Sequence, residues 1–487
     1  LPVATTLLFT EILRLGTHFP CTLDSEMLEN RERYMTHPDI SGPKGLPFVG
    51  NLREFAGADR IGNMMRWKAE YGETIHIKLV NRDAYILTNP ADIYEVLVKS
   101  AHKVHKSPIL KKGLTRALGE GLLLSEEDFH KRQRRLTQPA FHTQRITSYA
   151  DTIVDYGQTM VNSWGDQSQL DVHHEMMTVT MQVIAKVLFD ADVSEDADDL
   201  GHAITVGIES AMHKITNPMA LPDWVPTARN RKTNKVYDLL NTTVNDMIEA
   251  RRQTMEDKGD LLSMLLLSTD ENGERMNDKQ VRDEAMTLFL AGHETTANAL
   301  TWALYLLSEN PDIREKLVTE IDTVIGQRRA TLTDLKQLTY TQQVIKEAMR
   351  LYPPAWILTR IVQEPFELSK FTAQPNNIMI VSQYLTHRDP QYWENPNQFD
   401  PSRWTPEAEN DHTKFAYFPF GGGPRVCMGN HFAMMEAQLV LATILQHATV
   451  DLAPNTTIIP EPVITLRPLG GLPMTVTLRE HEAEPTL

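Results

Sequence analysis

The sequence predicts a mainly α-helical domain with a small β subdomain, and three observations carry that expectation. Apolar residues recur at three- and four-residue spacing from about Pro90 to Leu351, which is the helical period. Strand-like runs fall outside that stretch, at Glu73–Val80, Ala84–Leu87, Ile378–Ser382 and Val463–Leu466. No internal repeat, low-complexity tract or linker divides the chain.

The elements follow in order. Residues 1–40 read as an extension, and residues 41–487 as a single domain. SGPKGLPFVGNL, Ser41–Leu52, excludes a helix through its prolines and glycines and predicts a rigid, extended turn. The helical stretch is interrupted by an acidic loop at Asp190–Asp199 and a Pro-rich loop at Asn217–Pro226. Val281–Ser308 reads as one long helix that turns from amphipathic to apolar. Pro390–Phe420 is loop-rich, a last helix spans Asn430–His447, and Gly470-Gly471 signals a hairpin.

Composition narrows the function classes. Of the 487 residues, 41% are hydrophobic and 23% charged, enough apolar material for a large core and a lined pocket. A net charge of −16 argues against general nucleic-acid binding, which needs a basic footprint. Two distant cysteines, Cys21 and Cys427, make no disulfide framework and predict a reducing, cytoplasmic setting. Val3–Leu15 is too short and too charged to span a membrane, so a soluble protein is expected. The start at Leu1 leaves an upstream anchor open.

Chemistry concentrates in Phe420-Gly421-Gly422-Gly423-Pro424-Arg425-Val426-Cys427-Met428-Gly429. Three glycines and a proline make a tight loop whose backbone can approach a flat cofactor. Arg425 stands two residues before the sulfur, a cation suited to a carboxylate. The helix from Asn430 turns its N-terminal dipole toward the loop, which favours thiolate over thiol. By default a lone cysteine is a small buried hydrophobe. A glycine run can also cradle phosphate, but no Lys-Ser or Lys-Thr follows here, and zinc would need several Cys or His ligands at short spacing.

The whole string resembles the haem-binding signature of the cytochrome P-450 family, Phe-Gly-x-Gly-x-Arg-x-Cys-x-Gly. Phe420, Gly421, Gly423, Arg425, Cys427 and Gly429 occupy its fixed positions, and the resemblance runs from about Gly42 to Leu478. It implies that family's fold, a triangular helical domain with a long central helix and haem between that helix and the Cys-loop helix. It also implies haem b as cofactor and Cys427 as the axial thiolate on iron, a ligand that favours O–O cleavage.

Ala291-Gly292-His293-Glu294-Thr295-Thr296 lies mid-way along the long helix. The small pair Ala291-Gly292 lets something bulky and flat lie against the backbone. Glu294 and Thr295 set a carboxylate and a hydroxyl at one level of an apolar run, and a mid-helix threonine can bond back to a carbonyl and open the ladder. His293-Glu294 begins like a zinc motif, but Ala297 stands where the second histidine would be. The segment resembles the family's Ala/Gly-Gly-x-Asp/Glu-Thr motif. That resemblance makes Thr295 the hydroxyl beside bound dioxygen, Glu294 its acid partner in proton delivery, and Ala291 and Gly292 the contacts to haem.

Glu347 and Arg350, three apart on one helical face, by default form a minor surface ion pair. They resemble the family's Glu-x-x-Arg clamp, closed by Arg403 in Phe399-Asp400-Pro401-Ser402-Arg403-Trp404. Arg360, at the end of Tyr352–Arg360, matches the family position that meets a haem propionate. His130 and Arg134, one helical turn apart, match two more, with His standing where Trp is common. The basic cluster Lys103–Arg116 and Lys131–Arg135 reads as a solvated face or as a docking surface for an acidic electron-transfer protein.

No flavin or iron–sulfur signature occurs, and the 60 residues after Cys427 cannot hold a fused reductase. Electrons are expected from a separate partner: a ferredoxin or flavodoxin with its reductase, or a diflavin reductase. The family's substrate-contact regions fall on Ser107–Leu123, Pro218–Trp224, the helix before Thr295, Ala355, Trp356, Ile357 and Leu358, and Leu469 to Leu472, which are largely apolar. A lipophilic substrate is expected. RLYPPAWILTR and the His-Glu-Thr-Thr segment resemble bacterial fatty-acid and carotenoid hydroxylases, so a fatty acid comes first and a carotenoid, terpenoid or steroid-like molecule next. Two other readings stay open: an enzyme of the same fold that uses or rearranges peroxide, and a non-enzymatic haem-binding or sensing module.

Overall fold

The computed structural model describes residues 40–142, 146–195, 197–217, 220–254 and 256–479. The expected extension over residues 1–40 lies outside them apart from Ile40. The long helices are α1 (Arg60–Tyr71), α2 (Pro108–Leu118), α3 (Glu127–Thr137), α4 (Ala150–Asn162), α5 (Val172–Phe189), α6 (Ala197–Thr216), α7 (Ala228–Thr254), α8 (Asp278–Glu309), α9 (Pro311–Val324), α10 (Thr339–Leu351) and α11 (Asn430–His447). The expected last helix is α11, residue for residue.

α8 begins three residues before the expected Val281, and its cap explains why. The Asn277 side chain accepts from the Gln280 N–H at 2.9 Å, and the Gln280 side chain accepts from the Asn277 N–H at 2.9 Å. This reciprocal box satisfies two of the free donors of the first turn. α8 then crosses α5 so closely that a Cβ on Gly292 would lie 2.6 Å from Ile184 Cδ1. The glycine thus serves helix-to-helix approach. α8 meets α11 where Thr296 faces Glu436, a fully buried carboxyl whose oxygens find no other hydrogen-bond partner among the described residues.

The strand-rich part draws on both sides of the helical stretch. β1 (Thr74–Leu79), β2 (Arg82–Leu87) and β3 (Val104–Lys106) join β5 (Leu358–Val362) and β8 (Ile378–Val381) in a sheet of order β1-β2-β8-β5-β3. Its register pairs Lys106 with Arg360. A second sheet, β4-β12-β9, contains β4 (Gln169–Asp171), β9 (Ala448–Leu452) and β12 (Pro473–Leu478). β6 (Phe366–Glu367) and β7 (Thr372–Ala373) form one short pair, β10 (Pro460–Pro462) and β11 (Leu466–Pro468) another.

Two local expectations change. Residues 463–465 form the turn joining β10 to β11, closed by Val463 N–H donating to the Glu461 and Thr465 carbonyls at 3.1 Å each, and of the expected strand only Leu466 lies in one. Gly470-Gly471 makes no hairpin, because β11 pairs with β10 while β12 pairs with β4 and β9. Both glycines take positive φ, so the turn chemistry was legible and the strand partners were not.

Residues 463–466 are pinned from below. Trp356 donates its indole N–H to the Val463 carbonyl at 3.0 Å, and Trp302 donates to the Leu466 carbonyl at 2.9 Å. Trp302 also stacks on Tyr352 with 4.1 Å between centroids. Both tryptophans belong to the core beneath the first sheet, with Trp67, Ile75 and Ile380.

The Glu347–Arg350 pair is fully buried and doubly bonded, Nε to Oε2 and Nη2 to Oε1, both 2.8 Å. Arg350 also donates to the carbonyls of His387, Pro396 and Gln398, while Glu347 accepts from Asp400 N–H and the Trp404 indole. Arg403 approaches Glu347 at 3.4 Å. Removing one member strands a buried charge. Arg350→Met should therefore cost about 3–5 kcal/mol in denaturant unfolding, and Arg403→Met clearly less.

Burial lifts the Glu436 carboxyl from its ordinary 4.5 to about 8, Thr296 opposing. The folded chain then holds a proton that the unfolded chain releases, so stability falls as pH rises through that window. Glu436→Gln should match the parent in denaturant unfolding below this window and exceed it above.

Candidate active site

The Cys427 loop is built by its own backbone. Gly421 N–H donates to the Phe418 carbonyl at 2.9 Å, Val426 N–H to Gly423 at 3.1 Å, and Cys427 N–H to Phe420 at 3.0 Å. Gly421 and Gly423 have φ of 73° and 65°, where a side chain is strained. A Cβ on Gly423 would also lie 2.0 Å from the Leu97 carbonyl oxygen, so glycine is required for approach as well as conformation. Gly429 caps α11, and half-buried Phe420 packs on the main core.

Cys427 lies deep in the chain, yet its side chain is exposed, with no packed layer over the sulfur. Burial raises its thiol above the ordinary value, and the Gly429 N–H and the Arg134 charge pull the other way. A coordinating metal ion holds a cysteine ligand as the thiolate outright. Among the described residues no cluster of three or more His, Cys, Asp or Glu could hold a metal.

α8 carries the counterpart. Ala291 is exposed in the middle of a largely buried helix, and Thr295 is half-buried. The α8–α11 crossing at Thr296 and Glu436 brings this stretch and the Cys427 loop to the same region of the interior. Thr295 donates its hydroxyl to the Ala291 carbonyl at 2.9 Å, but the helix runs on unbroken, so the expected opening of the ladder is absent. Gly292 spends its smallness on Ile184. Glu294, 7% exposed, turns away from Thr295 and accepts from the Thr465 hydroxyl. Adjacent helical residues do not face each other, which the expected pairing overlooked. His293 is buried, with Nδ1 3.1 Å from the Phe289 carbonyl, and burial pushes its pKa down to about 4.

Beside the loop sits an unbalanced cluster of charge. Arg134 donates to the Val426 carbonyl at 2.9 Å, directly behind the sulfur. Arg425 donates to the Ser125 carbonyl at 2.7 Å and to Glu126. Arg360 is buried, with its pKa lowered to about 10 by burial and by Arg425. Lys106, paired with Arg360 in the sheet, donates its ammonium to the Leu123 carbonyl, and burial and both arginines hold its pKa well below the usual range. His130 is driven down to about 3, first by burial and then by Arg425, Lys106 and Arg134, so it is neutral. Four basic side chains thus gather here, Lys106, Arg360 and Arg425 around the Glu126 carboxylate and Arg134 beside Cys427. Such a surplus in a poorly solvated place needs anions, and the two propionates of a haem fit it.

Lys106 and Glu126 were not singled out in the sequence. Lys106 stands in the basic cluster read as surface, and only the β3–β5 register turns it inward. The rest of that cluster is largely paired: Arg132 with Asp270 and Arg135 with Glu271 at 2.6 Å, Lys131 with Asp128 at 2.9 Å, Arg116 with Asp223 at 3.4 Å. A continuous free basic surface is therefore absent among the described residues.

The expected pocket residues separate. Ala355, Ile357 and Leu358 are half-buried. Trp356 and Leu472 are sealed in cores, while Leu469 is 54% exposed on the turn. Pro218 and Met219 lie outside the described residues. No described helix is long and apolar enough to cross a membrane.

Comparison with known proteins agrees with this geometry. The cytochrome P-450 family model matches residues 40–471. Cyclooctatin synthase from Streptomyces melanosporofaciens is 37% identical over 436 residues, 88% of this chain and 94% of its own. Cyclooctat-9-en-7-ol 5-monooxygenase from the same organism is 32% identical, covering 80% and 84%. Pentalenene oxygenase from Streptomyces avermitilis is 29% identical, covering 91% and 98%. The chain belongs to the cytochrome P-450 family, and two of the relatives just given are named as a monooxygenase and an oxygenase.

Proposed function

We propose that the chain is a haem b monooxygenase that oxidises a polycyclic terpenoid. The observation that carries the cofactor reading is the buried surplus of Lys106, Arg134, Arg360 and Arg425 over Glu126, next to the exposed sulfur of Cys427. When bound, haem supplies reductive activation of dioxygen and insertion of one oxygen atom into a C–H or C=C bond. Cys427 would hold the iron and lend it electron density, and the four cations would hold the propionates. Ala291, Ala355, Ile357 and Leu358 offer apolar surface that excludes water and orients a lipophilic molecule. The Thr295 hydroxyl would hold a proton at the reaction side of α8, with Glu294 as the buried reserve behind it.

The expected preference for fatty acids gives way here. The relatives that cover most of the chain are named for cyclooctat-9-en-7-ol and pentalenene, fused-ring terpenoids, and this supports a terpenoid over a straight chain. Electrons would come from a ferredoxin or flavodoxin with its reductase, or from a diflavin reductase.

Turnover of purified holoenzyme with a surrogate ferredoxin, its reductase and a panel of cyclic terpenes and fatty acids tests the substrate class. Oxidation of fatty acids alone would reject the terpenoid assignment, and full activity with peroxide alone would favour the peroxide-using alternative. In the same preparation, reduced protein under carbon monoxide should show the strongly red-shifted Soret band of thiolate ligation. Cys427→Ala should lose it. Thr295→Ala should keep it while product per reductant falls and hydrogen peroxide rises. Lys106→Met should weaken haem retention about tenfold, read as haem per chain after gel filtration.

A further inference from the structure

We propose that Thr465 is a positioning residue for proton supply: its hydroxyl fixes where the Glu294 carboxyl points. This rests on the reading of the site just given. Thr465 is 6% exposed, and its hydroxyl donates to Glu294 Oε1 while accepting from Asn298 Nδ2 at 3.2 Å. With Asn298 as donor, the single hydroxyl proton is committed to the carboxyl. Asn298 Nδ2 also reaches the Glu294 backbone carbonyl at 3.0 Å, which ties the turn to this level of α8.

The turn that carries Thr465 is itself rigid. The two indole bonds to Val463 and Leu466 hold its ends, and Leu466 N–H donates to the Pro354 carbonyl at 2.9 Å. Two residues on, Arg467 donates to Glu461 at 2.8 Å and to Glu209 at 3.2 Å, and the Glu209 side chain is 56% exposed. Arg467 thus acts on the Glu294 carboxyl through its charge, while its own ion pairs lead outward to the exposed Glu209.

Other charged and titratable groups nearby belong to named partners. On α8, His293 is neutral and bound to Phe289. At the start of α5, His173 lies beside Asn298 and Asp171. On α11, Glu436 faces Thr296. Burial raises Glu294 above the usual carboxylate range, and Thr465 and Arg467 pull it back. Loss of either group should therefore move its titration upward.

The test uses holoenzyme driven by a surrogate ferredoxin and its reductase without substrate, following hydrogen peroxide release against pH and in heavy water. Thr465→Val should move the midpoint of the profile to higher pH and enlarge the solvent isotope effect, with haem content and the carbon monoxide band unchanged. Thr465→Ser should restore both. Arg467→Met, which leaves the hydroxyl in place, should move the midpoint the same way. In a Glu294→Gln background Thr465→Val should add nothing. A profile unmoved in both Thr465→Val and Arg467→Met, or an equal effect of Thr465→Val with and without Glu294, overturns the proposal. A parent protein without the thiolate band would instead reject the haem-thiolate reading, and the proposal with it.

Discussion

The Glu347–Arg350 ion pair is the constraint on which the rest depends. Two opposite charges at zero exposure are tolerable because each of the pair is hydrogen-bonded on several sides. Arg350 gathers the carbonyls of residues 387, 396 and 398, and Glu347 takes the N–H of Asp400 and the indole of Trp404. A loop with almost no regular structure is thereby held to the end of α10. That loop leads directly into the Cys427 segment, so the sulfur inherits its position from a salt bridge far from any chemistry. His387 repeats the arrangement one step on, since its ring nitrogen accepts from the Phe418 N–H at 3.0 Å.

The reactive side is held by a different principle. Around Arg425 burial, and then like charges that oppose each other, lower the proton affinity of Lys106, His130 and Arg360. Folding alone does not relieve this. A dianionic ligand does, so binding and stability are linked, and the bound form should be favoured in proportion to the charge it neutralises. The glycine-built loop supplies the complementary half, an approach to the sulfur unobstructed by side chains.

Legibility followed the range of the interaction. Features written in local chemistry were readable: the glycine loop around Cys427, the clamp spacing of Glu347 and Arg350, and the long helix with its Glu294-Thr295 pair. What failed to show depends on contacts between distant segments. Lys106 turns inward only through its register with Arg360. Gly292 answers to Ile184, more than a hundred residues away. Trp356 and Leu472 carry pocket-like apolarity that packing spends on cores. Glu294 was legible as an acid, but its hydrogen-bond partner lies in a turn whose residues read as a strand.

The two indoles that reach residues 463–466 have a bearing on assembly. Trp302 and Trp356 sit far upstream of the carbonyls that they bind, so their N–H groups wait for a segment that leaves the ribosome later. Until it docks, one flank of α8 lacks its wall, and Glu294 has lost its Thr465 bond. Completion of the interior thus waits for these long-separation contacts, which slow it. Nascent chains should spend that interval with apolar surface uncovered, a natural window for chaperones and for haem capture.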